Sequence, residues 1–138
     1  MRFAYIDACI WITLVEGLPN LQQPVRNALQ NLAQDGWLFC TSDAVRLEVL
    51  IGSLRRKDEA LTKIYSVLLD ISHILTIPPT VFSDAIAIAE TEGLKAMDAV
   101  HIAIATYHKC ECFVTTDSHF KQLKCITPYW INLENSSI

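Results

Sequence analysis

The chain has 138 residues, 51% of them hydrophobic and 19% charged, with only four Gly and five Pro; this balance excludes a disordered chain and suits a single core-rich domain over residues 1–138. The formal net charge of −4 argues against broad, charge-driven affinity for nucleic acid, while leaving room for a local basic rim. No apolar run approaches the ~20 residues that span a bilayer, and MRFAYID carries charge where a signal peptide would be apolar, so the expectation is a cytoplasmic protein with no membrane partner.

In chain order, RFAYI reads as a short β-rich run that stops at Asp7, and ACIWITLVEG after it has helical length and ends on Gly17. Asp7 therefore falls at a strand-to-helix junction. Pro19 to Gln34 continues as a helix, with Val25, Leu29 and Leu32 at helical spacing, and Gly36 ends it. WLFCT is the second strand, and cap-like Ser42 and Asp43 lead into the helix AVRLEVLIGSL. A charged connection from Arg55 to Asp58 precedes the helix EALTKIYSVLLDI, and HILTI is a third strand closed by Pro78 and Pro79. TVFSDAIAIAETE forms a helix stopped by Gly93. LKAMDAVHIAIATY follows as a helix that is apolar almost all round, then the strand CFVTT, a helical turn from Asp117, and a last β-like stretch from Leu123 to Thr127. The terminal ENSSI reads as a frayed end.

Strands alternating with helices indicate an α/β fold, a parallel sheet covered on both faces, whose ligand crevice lies at the carboxyl ends of the strands. The five cysteines are odd in number and scattered through apolar segments, which points to reduced core thiols and not to a disulfide framework. Cys110 and Cys112 with His108 make half a zinc site, but no second pair at ligand spacing follows.

Two strands end on aspartate in the same sense, FAYID at Asp7 and FVTTD at Asp117, so both carboxylates face one crevice. Glu48 interrupts the helix after strand two, and Asp98 lies near the start of its apolar helix; both are flanked by residues that must pack on the sheet. Taken singly, Asp7, Asp98 and Asp117 fit helix N-caps equally well, and Glu48 fits an exposed helix face. Taken together they converge at a cost. Two carboxylates ~5 Å apart repel by roughly 3 kcal/mol at an effective dielectric of about 20, a strain that a divalent cation relieves. All-oxygen ligation suits Mg²⁺ or Mn²⁺ better than zinc, and the reaction class it suggests is metal-dependent phosphodiester hydrolysis.

At these residues the sequence resembles the PIN-domain ribonucleases, and among them the VapC-type toxins of toxin-antitoxin modules. YIDACIWITLVEG, TSDAVRLEVLIG, LKAMDAVHIAIA and FVTTDSHFKQL occur in the family's order and spacing and together span nearly the whole chain. The resemblance implies a three-layer α/β/α fold around a parallel sheet of four or five strands, with an acidic site for Mg²⁺ or Mn²⁺. By position, Asp7, Glu48, Asp98 and Asp117 match the family's four catalytic, metal-binding acids, and Thr115 matches a small hydroxyl residue that supports the site. Thr116 stands where several relatives have Asn or Arg. The family also implies single-stranded or loop RNA as substrate, a cognate antitoxin that blocks the groove, and a homodimer. The helical pair from Leu47 to Leu69 offers apolar surface for such a partner.

Candidate phosphate-holding residues for RNA are Arg46, Arg55, Arg56, Lys57, Lys95 and Lys121. His101 follows Asp98 by three positions and His119 follows Asp117 by two; a structural role suits both better than substrate contact. A haloacid-dehalogenase-like phosphatase would need an acid at position 9, which is Cys, and a receiver domain would need an acceptor Asp on the third strand, where the chain has HILTIPP. The remaining alternatives are a housekeeping RNA-processing nuclease, or a binding module that keeps the fold and uses the acids only as caps.

Overall fold

The computed structural model describes residues 1–133, so the expected frayed end ENSSI lies outside the described residues. Five strands, β1 (Arg2–Ile6), β2 (Trp37–Ser42), β3 (His73–Leu75), β4 (Cys112–Thr115) and β5 (Thr127–Trp130), form one sheet in the order β3-β2-β1-β4-β5. Every neighbouring pair is parallel. The chain builds outward from β1 to β3 on one side, then returns to place β4 against the other edge of β1. The order thus reverses at β1, and the carboxyl ends of β1 and β4 flank the switch point where open α/β sheets bind ligands.

Among the described residues six helices make the connections: α1 (Ala8–Glu16), α2 (Pro19–Gln34), α3 (Asp43–Arg55), α4 (Glu59–Asp70), α5 (Val81–Glu92) and α6 (Ala96–Tyr107). Right-handed crossovers put α1 to α4 over one face and α5 with α6 over the other, giving the three-layer α/β/α arrangement. The two central strands are buried on both faces, with Tyr5, Ile6, Phe113 and Val114 fully enclosed, which explains their unbroken apolar reading. Helix α6 carries Ile102, Ala103, Ile104 and Ala105 into the same core.

Local chemistry fixes the boundaries next to the strand ends. Ser42 closes β2 and caps α3, its hydroxyl accepting the Val45 N–H. Gly93 ends α5 at φ 69°, in the left-handed region that glycine enters without a Cβ penalty. Gly17 is required for a different reason: a Cβ there would lie 2.4 Å from the Thr13 carbonyl oxygen.

Two expected strands are displaced. The third strand stops at Leu75 instead of running through HILTI, because the next residues lead into buried Pro78 and the turn before α5. The last strand is Thr127–Trp130, not Leu123 to Thr127. The stretch before it is a loop gathered by Glu92, whose carboxylate accepts the Lys124 and Cys125 N–H groups at 3.1 and 2.9 Å. Pro128 lies in β5, on the sheet edge, where its missing donor is tolerated. The cysteines also depart in part from the expectation of core thiols. Cys40, Cys110 and Cys112 are buried, but Cys9 is half-buried and Cys125 exposed.

Candidate active site

The site forms where β1 and β4 end side by side. Asp7 continues the ladder beyond β1, its N–H donating to the Val114 carbonyl at 2.9 Å. Asp7 is almost fully buried, 8% exposed, and each carboxylate oxygen is engaged. Oδ1 accepts the Ala8 N–H at 2.8 Å, capping α1. Oδ2 accepts the Thr115 hydroxyl at 2.7 Å and the Cys9 thiol at 3.3 Å. Burial pushes the Asp7 pKa up and the nearby Glu48 charge adds to that, while the Thr115 and Cys9 bonds and His101 oppose it.

Thr115 ends β4 with no exposure, and its hydroxyl also accepts the Asp117 N–H at 3.0 Å. Asp117 in turn caps a single 3-10 turn, Ser118–Phe120, by accepting the His119 N–H at 2.9 Å, and it pairs with the His119 ring at 2.8 Å. Helical capping is therefore a real function of both strand-end aspartates, alongside whatever chemistry they share.

Asp98 differs. The residue at the N-cap of α6 is Lys95, and Asp98 occupies the third helical position without capping anything. Its pKa is raised, first by desolvation and then by the charges of Asp117, Asp7 and Glu48, against relief from His101. All three other acids thus act on Asp98, and the four carboxylates predicted from the sequence share one local field.

Glu48 reaches the same region from α3. Its carboxylate is bound by Nε2 of His101, which is buried on α6 with 1% exposure. His101 Nδ1 pairs with the Tyr5 hydroxyl at 2.8 Å, and that hydroxyl pairs with Ser42 Oγ at 2.8 Å. The structural role expected for His101 is thus specific: it joins the sheet core to a site carboxylate. Tyr5 escaped the sequence reading, and Ser42 was read only as the helix cap that it is, since a tyrosine in an apolar strand and a serine before a helix carry no signal of a bond between them.

Among the described residues, no group of three His, Cys, Asp or Glu side chains is closed into a metal cage. Glu48 turns to His101, Asp117 to His119, and Asp7 to Thr115. The donor set nevertheless fits a hard divalent ion, being four carboxylates whose mutual repulsion at Asp98 is only partly offset by His101. His108, Cys110 and Cys112 lie elsewhere, with the His108 ring on the Thr76 carbonyl at 2.7 Å and both cysteines buried.

The candidate RNA-binding cations divide into two sets. Arg46 is paired with Asp43 and Asp70 at 3.6 and 3.5 Å, and Arg56 with Glu16 at 2.9 Å. Arg55 is exposed at the end of α3, about 10 Å along the helix from Glu48, and Lys57 is exposed just past that end. Lys95 is exposed one turn before Asp98. Lys121 lies over the Trp130 ring, 4.2 Å from its centroid, and the Trp130 indole donates to the Thr116 carbonyl at 3.2 Å, beside Asp117.

A parallel five-stranded α/β/α sheet with acids gathered at its switch point defines a class of protein, and the family comparison agrees with it. The model of the PIN domain matches residues 4–124, and the chain belongs to the PIN-domain family. Solved structures share the fold. VapBC2 from Rickettsia felis, bound to a DNA fragment from its promoter, superposes with a TM-score of 0.74 at 16% identity, covering 92% of this chain and 97% of the other. A toxin-antitoxin complex from Klebsiella pneumoniae gives 0.71 at 21% identity, covering 90% and 95%. The sarcin-ricin loop cleaving toxin VapC20 of Mycobacterium tuberculosis gives 0.69 at 13% identity, covering 91% and 99%. A comparison with curated protein sequences gives no significant match.

Proposed function

We propose that this chain, as one PIN-like nuclease domain, is a Mg²⁺- or Mn²⁺-dependent endoribonuclease acting in the cytoplasm as the toxin of a toxin-antitoxin pair. The observation that carries this reading is Asp98. It caps nothing, it pays a desolvation cost, and Asp7, Glu48 and Asp117 all raise its pKa. A negative charge in the first turn of α6 gains a little from the helix dipole in any protein, but that gain needs no desolvation and no three further carboxylates acting on it.

In this reading Asp7, Glu48, Asp98 and Asp117 hold the metal. When bound, a divalent ion supplies an activated water for in-line attack on the phosphodiester and stabilises the leaving oxygen. The chain's own residues do the positioning. Thr115 fixes the Asp7 carboxylate and the start of the Asp117 turn with one hydroxyl. Lys95, one turn before Asp98, and Lys121, over the Trp130 ring that bonds Thr116 beside Asp117, are the best placed of the cations to hold phosphates of an RNA strand, which positions it without reading its sequence.

The partner reading draws on the surface and on the neighbours. Leu47, Ile51 and Leu54 on α3 and Ile64 and Val67 on α4 are exposed, an apolar stripe beside Glu48 that suits an antitoxin segment of the kind the structural neighbours carry. Phe82 and Ile86 on α5, 72% and 70% exposed, are the corresponding surface for a homodimer.

The test is incubation of the purified chain with single-stranded and hairpin RNA, with Mg²⁺, with Mn²⁺ and with EDTA. Internal cleavage that requires the metal supports the reading; intact RNA under all metal conditions contradicts it.

A further inference from the structure

A carboxylate at the end of a glutamate side chain has three rotatable bonds and, 40% exposed, little packing to fix it. Glu48 is nonetheless tied to a fully enclosed set of polar groups. His101 is 1% exposed, and Tyr5 and Ser42 are both 0% exposed. The His101 ring stands edge-on to Tyr5 with centroids 5.7 Å apart, and Tyr5 stacks on Phe113 at 5.6 Å, so aromatic packing holds the ring on two sides.

The donor and acceptor count then fixes a direction. Glu48 as a carboxylate only accepts, so His101 Nε2 carries the proton and donates to it. Nδ1 is left with a lone pair, which takes the Tyr5 O–H; the Tyr5 oxygen in turn takes the Ser42 O–H, and Ser42 Oγ still accepts the Val45 N–H. In this direction each of the buried polar atoms has a partner of the right kind. The relay crosses from the end of β2 through β1 to α6 and finishes on α3, joining four elements at the carboxyl edge of the sheet.

We propose that His101, braced by Tyr5 and Ser42, is a positioning residue that fixes Glu48 at the mouth of the site. The proposal deepens the reading of Glu48 as a metal-holding carboxylate and rests on it. A side chain already held before the ion arrives loses less freedom on binding, and partners that orient a ligand in this way typically change metal affinity by about 10- to 100-fold when removed.

The amide nitrogen of Gln reaches the place of imidazole Nε2, whereas that of Asn reaches only the place of Nδ1, which separates positioning from simple filling of the core. Binding of Mn²⁺ alone is measured by the free-ion EPR signal, with thermal melting of each metal-free variant alongside. His101→Asn is expected to weaken Mn²⁺ binding about tenfold, His101→Gln to stay within about threefold of the wild type, and His101→Asn to add little in a Glu48→Ala background. Tyr5→Phe, which removes only the brace, is expected to shift affinity in the same direction by less. Equal losses for the Asn and Gln variants, or an undiminished effect in Glu48→Ala, would overturn the proposal.

A metal-free measurement separates this from failure of the site reading. In ¹⁵N-histidine-labelled protein, His101 is expected as the Nε2–H tautomer, with a ring N–H signal that moves in Glu48→Ala. An Nδ1–H tautomer or an unmoved signal overturns the proposal. The expected tautomer in a wild type that binds no Mn²⁺ leaves the positioning of Glu48 standing and removes the metal assignment.

Discussion

The Thr115 hydroxyl donates to Asp7 at 2.7 Å while accepting the Asp117 N–H at 3.0 Å, so one buried oxygen coordinates the ends of the two strands that frame the site. A hydrogen bond to a charged group contributes about 1.5–3 kcal/mol. Thr115→Val, which keeps the shape, is expected to cost about that much stability at neutral pH in urea denaturation. The loss shrinks as pH falls, because the bond favours the ionised form of Asp7, whose pKa burial has already raised. Thr115→Ser is expected to retain most of the stability. A valine variant as stable as the wild type at neutral pH would remove Thr115 from this role.

Asp98 gives a prediction of opposite sign. Its carboxyl is held above its ordinary 3.8, first by desolvation and then by three neighbouring acids. A carboxyl with a raised folded pKa binds its proton more tightly in the folded state, so its contribution favours folding below the ordinary carboxyl range and is lost as pH rises through the raised value. Asp98→Asn is therefore expected to leave the metal-free protein at least as stable at neutral pH, and to flatten the rise in stability on acidification. Asp98 makes no cap hydrogen bond, so the helix term set against this gain is only its charge in the first turn of α6, about 0.3–1 kcal/mol. Clear destabilisation of the metal-free variant at neutral pH would contradict the electrostatic account.

Relief of the same repulsion predicts stabilisation by metal. At an ion concentration 100 times the Kd, binding only to the folded state contributes about 2.7 kcal/mol. For a chain of this size each kcal/mol moves Tm by about 3 °C. Millimolar Mn²⁺ is expected to raise the wild-type Tm by several degrees and Asp98→Asn by less, in differential scanning calorimetry with EDTA as reference. Identical shifts in the two proteins would place the ion elsewhere.

The cations separate by their partners. Arg56 is already paired with Glu16, whereas Lys95 is exposed a turn before Asp98. Removing one phosphate contact lowers the slope of log K against log salt for single-stranded nucleic acid by about 0.7. Lys95→Ala in a protein made inactive by Asp98→Asn is expected to show that change with single-stranded RNA, and Arg56→Ala to leave the slope as it was. The reverse pattern would move the RNA path to the far end of α3.

Most of the architecture was legible in the sequence because each central strand is a short apolar run bounded by an acid, a glycine or a cap. The two displaced strands lie at the sheet edges, where the pattern is weakest. β3 pairs over three residues before the prolines, and β5 was obscured because Leu123 and Ile126 are apolar for packing while Glu92, 32 and 33 positions from the N–H groups it binds, gathers the loop between them. The four acids were visible as interruptions in apolar surroundings. Their ambiguity was visible as well, and it divides by residue: Asp7 and Asp117 do cap, and Asp98 does not. The relay behind Glu48 was hidden because its members come from three other elements, and sequence spacing carries no information about contacts between Tyr5, Ser42 and His101, up to 96 positions apart.

The most direct measurement is metal-dependent RNA cleavage by the wild type beside Asp98→Asn, at matched concentration and with melting curves showing both proteins folded. Cleavage by the wild type in Mn²⁺ or Mg²⁺, abolished by EDTA and reduced at least about 100-fold in Asp98→Asn, is the expected result for a carboxylate that stabilises the charge of the reaction. Undiminished cleavage by the folded Asp98→Asn protein would contradict the assignment of the four acids as the catalytic centre.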